Sequence, residues 1–437
     1  MKMANSKQKC FLIISFLLCV FEHEVKCEND IYSNLIDNPI FNKLITEDHE
    51  STFKSQLKQS AQIWSQSILQ QNEDISLNIT QLIKKNNYPV EEYTVTTSDG
   101  YLLKLFRIPG NGPVVFLMHG ALCSADDWIS PGVDSGIGFL LAAQGYDVWM
   151  GNNRGNKHSR MNTKISPSDK SFWDYSFHEI GYYDLPAMID FVLEKTSKSS
   201  LTYVGHSQGT SVFYVLTSLR PEYNQKVNLM LALSSVAWMS NVVSPPIRLV
   251  GQFNKQLESV SSALGINELL GDTPTLRLIQ RAFCGNNVTA FIFCQHFTAI
   301  LGGFNYNQTN HENLPVIYNK FPAGASVKQF VHYGQLVESG EFRQYDYGIR
   351  NIEKYGSLAP PSYPVEKITT PIAILYSRGD WLASLSDILI FVSKLPNLAD
   401  FYVIPEDAFS HFDFIYGKDT KGVVLPRMLR MINRYGQ

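Results

Sequence analysis

The chain is short of the features that mark several function classes. It has no C-x-x-C pair and no His/Cys cluster at zinc spacing, which argues against a structural metal, and nothing in it calls for a cofactor. It has no long basic block, and 37 Lys and Arg against 40 Asp and Glu leave a net charge of -3. No nucleic-acid partner is expected from that balance. Beyond Phe21 no apolar run approaches the roughly 20 residues needed to cross a bilayer, so no transmembrane anchor is expected. Cysteine is scarce as well, with six in 437 residues.

What is present begins with three lysines (Lys2, Lys7, Lys9) ahead of an apolar run from Phe11 to Phe21 broken only by Ser15. That pairing of a basic start with a short apolar run reads as a secretory signal over residues 1–27, with Cys27 or a residue nearer Cys19 as its last. Cys10 and Cys19 leave with it, and Cys27 too where the cut follows it. Cys284 and Cys294 remain as a local pair that a disulfide could join, and Cys123 is left over. Asn78-Ile79-Thr80, Asn287-Val288-Thr289 and Asn307-Gln308-Thr309 are glycosylation sequons, which carry weight behind a signal peptide. A secreted or lysosomal location is expected.

Residues 28–76 form a polar extension, read as a propeptide or an extra packed helix. From Tyr93 the texture changes to a hairpin, in which Tyr93–Thr97 and Tyr101–Phe106 flank Ser98-Asp99-Gly100. Short apolar runs follow at Val114–Met118, Tyr146–Met150, Leu201–Val204, Leu229–Leu233, Ile372–Tyr376 and Phe401–Ile404. Helix-length patterns lie between them at Ile137–Ala143, Leu185–Lys195, Thr210–Leu219 and Ser384–Leu395. Strands apolar on both faces that alternate with helices predict an α/β fold with a mostly parallel central sheet flanked by helices. The alternation fails between Leu233 and Ile372, which predicts a helical cap or lid inserted at about residues 238–345 of a domain spanning 77–437. Within it Leu249, Val250, Phe253, Leu257, Val260 and Leu264 recur at helical spacing. They read as a packed cap helix or as a lid face turned to lipid.

Gly205-His206-Ser207-Gln208-Gly209 joins an apolar strand to a helix. In that context G-x-S-x-G presents Ser207 as a nucleophile on a strained turn. A serine hydroxyl is weak at neutral pH and requires a base with an anion behind it. His411 follows the last strand and is preferred as base over His296, His311 and His332, which fall in the cap. Asp380 leaves the Ile372–Tyr376 strand and is preferred as acid over Asp387, which reads as a solvated helix residue. Attack on an ester would create an oxyanion, for which the backbone N–H groups of Gln208 and Ala121 are the candidate donors. His119 and His206, each beside a glycine turn, read as structural supports.

Several stretches are longer and more distinctive than the pentapeptide. They include Tyr88-Pro89-Val90-Glu91-Glu92-Tyr93, Gly145 to Asn156, Tyr183-Asp184-Leu185-Pro186-Ala187, Pro322-Ala323-Gly324-Ala325-Ser326 and His411-Phe412-Asp413-Phe414. From about Tyr88 to the C-terminus the chain resembles the acid lipase family of α/β hydrolases. The resemblance implies an α/β-hydrolase core with cap and lid, and hydrolysis of neutral lipid esters at a lipid-water interface. It places the family's nucleophile, acid and base on Ser207, Asp380 and His411, its oxyanion donors on Ala121 and Gln208, and its cap disulfide on Cys284 and Cys294. A short-chain esterase or acyltransferase on the same scaffold, or a lipid-binding protein without catalysis, are the alternatives.

Overall fold

The computed structural model describes residues 73–271 and 298–436. The expected signal segment, the extension up to residue 72, Cys284, Cys294, Asn287 and His296 lie outside the described residues.

Eight main strands build the sheet: β1 (Glu91–Thr96), β2 (Tyr101–Ile108), β3 (Val114–Met118), β4 (Asp147–Gly151), β5 (Leu201–His206), β6 (Val227–Leu233), β7 (Ile372–Tyr376) and β8 (Leu398–Val403). Their order across the sheet is β1-β2-β4-β3-β5-β6-β7-β8, and the short strand Met161–Asn162 also pairs with β2. β2 runs antiparallel to β1 and β4, while every pairing from β4 to β8 is parallel. Every residue of β3, β4, β5 and β7 is buried, as a parallel sheet covered on both faces requires.

The helices that frame the sheet and the insertion include α1 (Ile79–Lys85), α2 (Ile137–Ala142), α3 (Leu185–Thr196), α4 (Gln208–Leu219), α5 (Pro245–Gln252), α6 (Asn254–Ala263), α7 (Val327–Ser339), α8 (Leu385–Lys394) and α9 (Leu425–Tyr435). Side-chain alternation divides the core into two layers. Val114, Phe116 and Met118 of β3 join Met188 of α3, Phe213 of α4 and Phe391 of α8 on one face. Val115 and Leu117 join Ile83 of α1, Leu141 of α2 and Met428 of α9 on the other. One strand thus serves both layers, through the period of two.

Beyond shifts of about two residues at strand ends, such as β6 starting at Val227 rather than Leu229, the structure departs from expectation at two elements. β8 begins at Leu398 rather than Phe401, because it is an edge strand with no fully buried residue and lacks a continuous apolar run. In the insertion, the stretch from Leu249 to Leu264 is two helices, α5 and α6, divided at Phe253. The buried positions of α5 and α6 are Ile247, Gly251, Asn254 and Ser261, whereas Leu249, Val260 and Leu264 are exposed. A Cβ on Gly251 would meet Val337 Cγ1 of α7 at 2.4 Å. Close helix approach through small residues seats this pair on α7, and of the aliphatic stripe Leu257 packs against Val327 and Val331 of α7.

Candidate active site

Ser207 stands where β5 turns into α4. Its backbone takes φ 54° and ψ -119°, a left-handed conformation that costs a non-glycine residue on the order of 1–3 kcal/mol. Its N–H donates to Leu233 O at 3.1 Å. From 201 to 218 it is the one position that is not buried, so the strained turn lifts a single hydroxyl out of an otherwise enclosed strand and helix. The approach depends on Gly209, where a Cβ would lie 2.2 Å from Met118 O.

His411 lies in the loop after β8, and its Nδ1 is 3.0 Å and 3.1 Å from the two carboxyl oxygens of Asp380. Asp380 leaves β7 and accepts on Oδ1 from the N–H groups of Leu382 (2.8 Å) and Ala383 (2.9 Å). Burial alone would raise the Asp380 carboxyl, but the adjacent His411 and these donors hold it below its ordinary value. An ionised Asp380 assigns the proton of the neutral ring to Nδ1, and Nε2 keeps the basic lone pair.

Two further histidines fix backbone. His206 donates from Nε2 to His411 O at 2.9 Å, and burial brings it down to about 3. His119 donates from Nδ1 to Gly120 O at 2.8 Å and accepts on Nε2 from Asn153 N–H at 3.3 Å and Asn156 Nδ2 at 3.2 Å. Burial brings it down to about 4. Neither ring takes up a proton near neutrality.

Gly120 lies against the serine, since a Cβ built on it would be 3.2 Å from Ser207 Cβ. Ala121 is the next residue. Gln208 is the first residue of α4, a position whose N–H has no acceptor within the helix. The loop that carries Ala121 is gripped from outside: Ala323 N–H of the insertion donates to Leu122 O at 2.6 Å and Ala125 N–H to Asn152 Oδ1 at 3.0 Å. Asn152 to Asn156 is in turn held by Arg154, only 1% exposed. Its guanidinium reaches Asp184 at 2.6 Å and Asp99 at 2.6 Å, and stacks 4.0 Å over the Tyr101 ring.

Two residues of the site were not found from the sequence. Ser234, the first residue after β6, has φ 55° and is fully buried. Its hydroxyl donates to Asp380 Oδ2 and lies 2.6 Å from His411 Nδ1. Gly302 O accepts from both Trp381 N–H (3.2 Å) and His411 N–H (3.1 Å). A Cβ on Gly302 would fall 2.7 Å from Phe412 Cδ2 and 3.0 Å from His411 Cβ. The one available signal was position: Ser234 follows the strand that lies between those of Ser207 and Asp380.

Other candidates are elsewhere. Asp387 is buried, not solvated, and accepts from Ser240 Oγ (2.8 Å), Asn241 N–H (2.8 Å) and Ser384 Oγ (2.9 Å). It ties the start of the insertion to α8. His332 is buried between Ser176 Oγ and Arg343 O, at 3.0 Å from each, and stacks on Phe177. His311 is half-buried. Cys123 is buried and free, and burial pushes its thiol up, away from the reactive thiolate. Among the described residues no group of three or more His, Cys, Asp or Glu side chains could hold a metal ion.

Residues 79–132 match the model of the partial alpha/beta-hydrolase lipase region, and residues 113–418 match that of the alpha/beta hydrolase fold. The chain is 37% identical to Lipase 3 of Drosophila melanogaster, across 81% of this chain and 92% of that protein. It is 36% identical to the gastric triacylglycerol lipase of Rattus norvegicus, across 83% and 93%. Against the lysosomal acid lipase/cholesteryl ester hydrolase of Homo sapiens it is 35% identical across 83% and 92%. A solved structure from Sulfolobus solfataricus superposes with a TM-score of 0.52 at 12% identity, covering 79% of this chain and 94% of that one, a likeness of fold alone.

Proposed function

The chain belongs to the acid lipase family of α/β hydrolases and is an ester hydrolase, and from that premise we propose that it cleaves triacylglycerols or cholesteryl esters through an acyl-enzyme on Ser207. The observation that supports this most directly is the buried Asp380–His411 pair beside a partly exposed serine on a strained strand-to-helix turn. Ser207 Oγ attacks the ester carbonyl as His411 Nε2 takes its proton. Asp380 orients the ring and stabilises the imidazolium. The oxyanion receives the N–H groups of Ala121 and Gln208. Collapse breaks the C–O bond, and His411 returns the proton to the leaving alcohol. Water then attacks the acyl-enzyme with His411 as base, which releases the fatty acid and regenerates Ser207.

The exposed Leu249, Val260 and Leu264 of α5–α6 suit contact with a lipid-water interface. Among the described residues no helix is long and apolar enough to cross a membrane. Entry to the secretory route would rest on residues 1–27. Asn78 and Asn307 are exposed, as glycan acceptors must be. At Asn78 the helix cap uses the side-chain oxygen, which accepts from Gln81 N–H and Thr80 Oγ1, and not the nitrogen that a glycan would take.

An acidic working environment has support in the core. Burial pushes Asp127 up to about 6 and Asp413 up to about 7. A carboxyl whose folded pKa lies above its unfolded value of about 3.9 stabilises the fold fully below that lower value. The contribution is lost as pH rises through the folded pKa. For Asp413 the loss between pH 5 and pH 7 is about 2 kcal/mol. Urea denaturation should therefore show greater stability at pH 5 than at pH 7, and Asp413→Asn should flatten that slope. A variant as steep as the parent would remove Asp413 from the account.

Substrate class is tested by a panel of short-chain ester, long-chain triacylglycerol and cholesteryl ester, each at acidic and neutral pH. Turnover of the long-chain lipids is the expected result. Activity confined to soluble short esters would contradict the lipase reading in favour of the esterase one.

A further inference from the structure

We propose that Ser234 is a positioning residue for the acid–base pair, its hydroxyl donating to Asp380 and accepting from the Nδ1–H of His411. The inference rests on the reading of Ser207, Asp380 and His411 as nucleophile, acid and base. A hydroxyl has one proton and two lone pairs. An ionised carboxylate only accepts, so the Ser234 proton goes to Asp380 Oδ2. The oxygen then faces His411 Nδ1, at 2.6 Å, closer than either carboxyl oxygen at 3.0 Å and 3.1 Å.

Two consequences follow from that orientation. Asp380 Oδ1 is already fixed by the amides of Leu382 and Ala383. Ser234 supplies the donor on Oδ2, so the carboxylate is held from both oxygens and cannot swing away from the ring. The hydroxyl dipole also points its positive end at the carboxylate and its negative end at the imidazole, which favours the Asp380 anion facing a His411 cation over the same pair with a neutral ring. That charge separation is the one that forms when Ser207 gives up its proton. The backbone places the hydroxyl there by construction: Ser234 N–H donates to Leu375 O of β7 at 3.1 Å, and the preceding carbonyl, Leu233 O, accepts from Ser207 N–H at 3.1 Å. One residue at the end of β6 thus adjoins both the nucleophile's turn and the acid's strand.

The test compares Ser234→Ala and Ser234→Gly with the parent, on a soluble short-chain ester, with active protein counted by fluorophosphonate labelling. At φ 55° glycine relieves backbone strain that alanine retains, so Ser234→Gly removes the hydroxyl without weakening the fold. Both variants should lose about tenfold in kcat, the worth of a hydrogen bond to a charged group, with KM within about twofold. The acid limb of kcat/KM should move to lower pH, because the hydroxyl oxygen that faces the imidazolium is gone.

The titratable groups that face the pair are His206 from the turn, Tyr376 from β7 and, on the base's own loop, Asp413 with Glu406 bridged to it by Asn305. His206, at about 3, stays neutral, and Tyr376 is pushed up by burial. Asp413, at about 7, titrates in the window, so the shift is read as a difference from the parent and repeated in the Asp413→Asn background. Parental kcat and acid limb in Ser234→Gly would overturn the proposal, as would a fall in kcat with an unmoved acid limb. Ser207→Ala, run alongside, separates the two readings. If it keeps turnover the triad itself fails; if it is inactive while Ser234→Gly is parental, only the role of Ser234 fails.

Discussion

Ser207→Ala is expected to lower kcat for ester hydrolysis by about 10⁶, the scale on which a lone nucleophile acts, and to abolish fluorophosphonate labelling. The expectation is large because nothing around the turn can substitute. His206 and Gln208 are buried on either side. Ser211 and Thr210 are buried too, and give their hydroxyl protons to the carbonyls of Val236 and Ser207. Alanine keeps a Cβ on the same strained backbone, so stability should stay within about 0.5 kcal/mol of the parent, as for substitutions that break no packing or buried network. Substrate binding should persist while chemistry stops. Initial rates together with a labelling gel decide the matter, and retained turnover would move the nucleophile elsewhere in the molecule.

Arg154→Ala is expected to destabilise the fold by about 3–5 kcal/mol, the cost of leaving one partner of a buried ion pair alone. Asp184 is fully buried and bonded by the Arg154 guanidinium and by its backbone N–H. Asp99 loses its bidentate partner in the same change. Lysine cannot restore the fork, so Arg154→Lys should recover only part of the loss. An unpaired buried carboxyl relieves its burial by taking a proton, so the deficit measured in urea should be smaller at pH 5 than at pH 7. Equal deficits at both would show that the loss comes from packing against Tyr101 rather than from charge. Activity should fall with stability, because Arg154 anchors the stretch that carries Asn152 and hence the loop of Ala121.

The sheet was legible because its central strands are apolar on both faces and bounded by turn residues; Val114–Met118 and Ile372–Tyr376 have the limits that their sequence suggests. Ser207 and Asp380 became candidates because each follows a strand that such a run reveals, and His411 because it follows the shorter apolar stretch Phe401–Ile404 at the sheet edge. What could not be read was pairing across long separations. Arg154 meets Asp99 and Asp184 across 55 and 30 residues, and nothing local to any of the three announces it. Ser234 was invisible for a different reason: a serine after a strand is ordinary, and its importance comes only from the neighbours that the fold brings to it. In the insertion, the stripe from Leu249 to Leu264 read as a packed face or as a lid face; Leu257 packs against α7 while Leu249, Val260 and Leu264 are exposed, and Gly251 sets the close approach. Helical spacing identified the helices and not the side they bury.

The carbonyl of Gly302 is shared by the backbone of the loop after β7, at Trp381, and of the loop after β8, at His411. The inserted segment is therefore not a detachable cover over a self-sufficient catalytic core. It contributes a main-chain clasp between two loops that reach the site from different strands. Chimeras that exchange this insertion to change acyl specificity would carry over more than a binding pocket. Unless the graft supplies a carbonyl and a glycine at that point, it would loosen the geometry that it was meant to inherit.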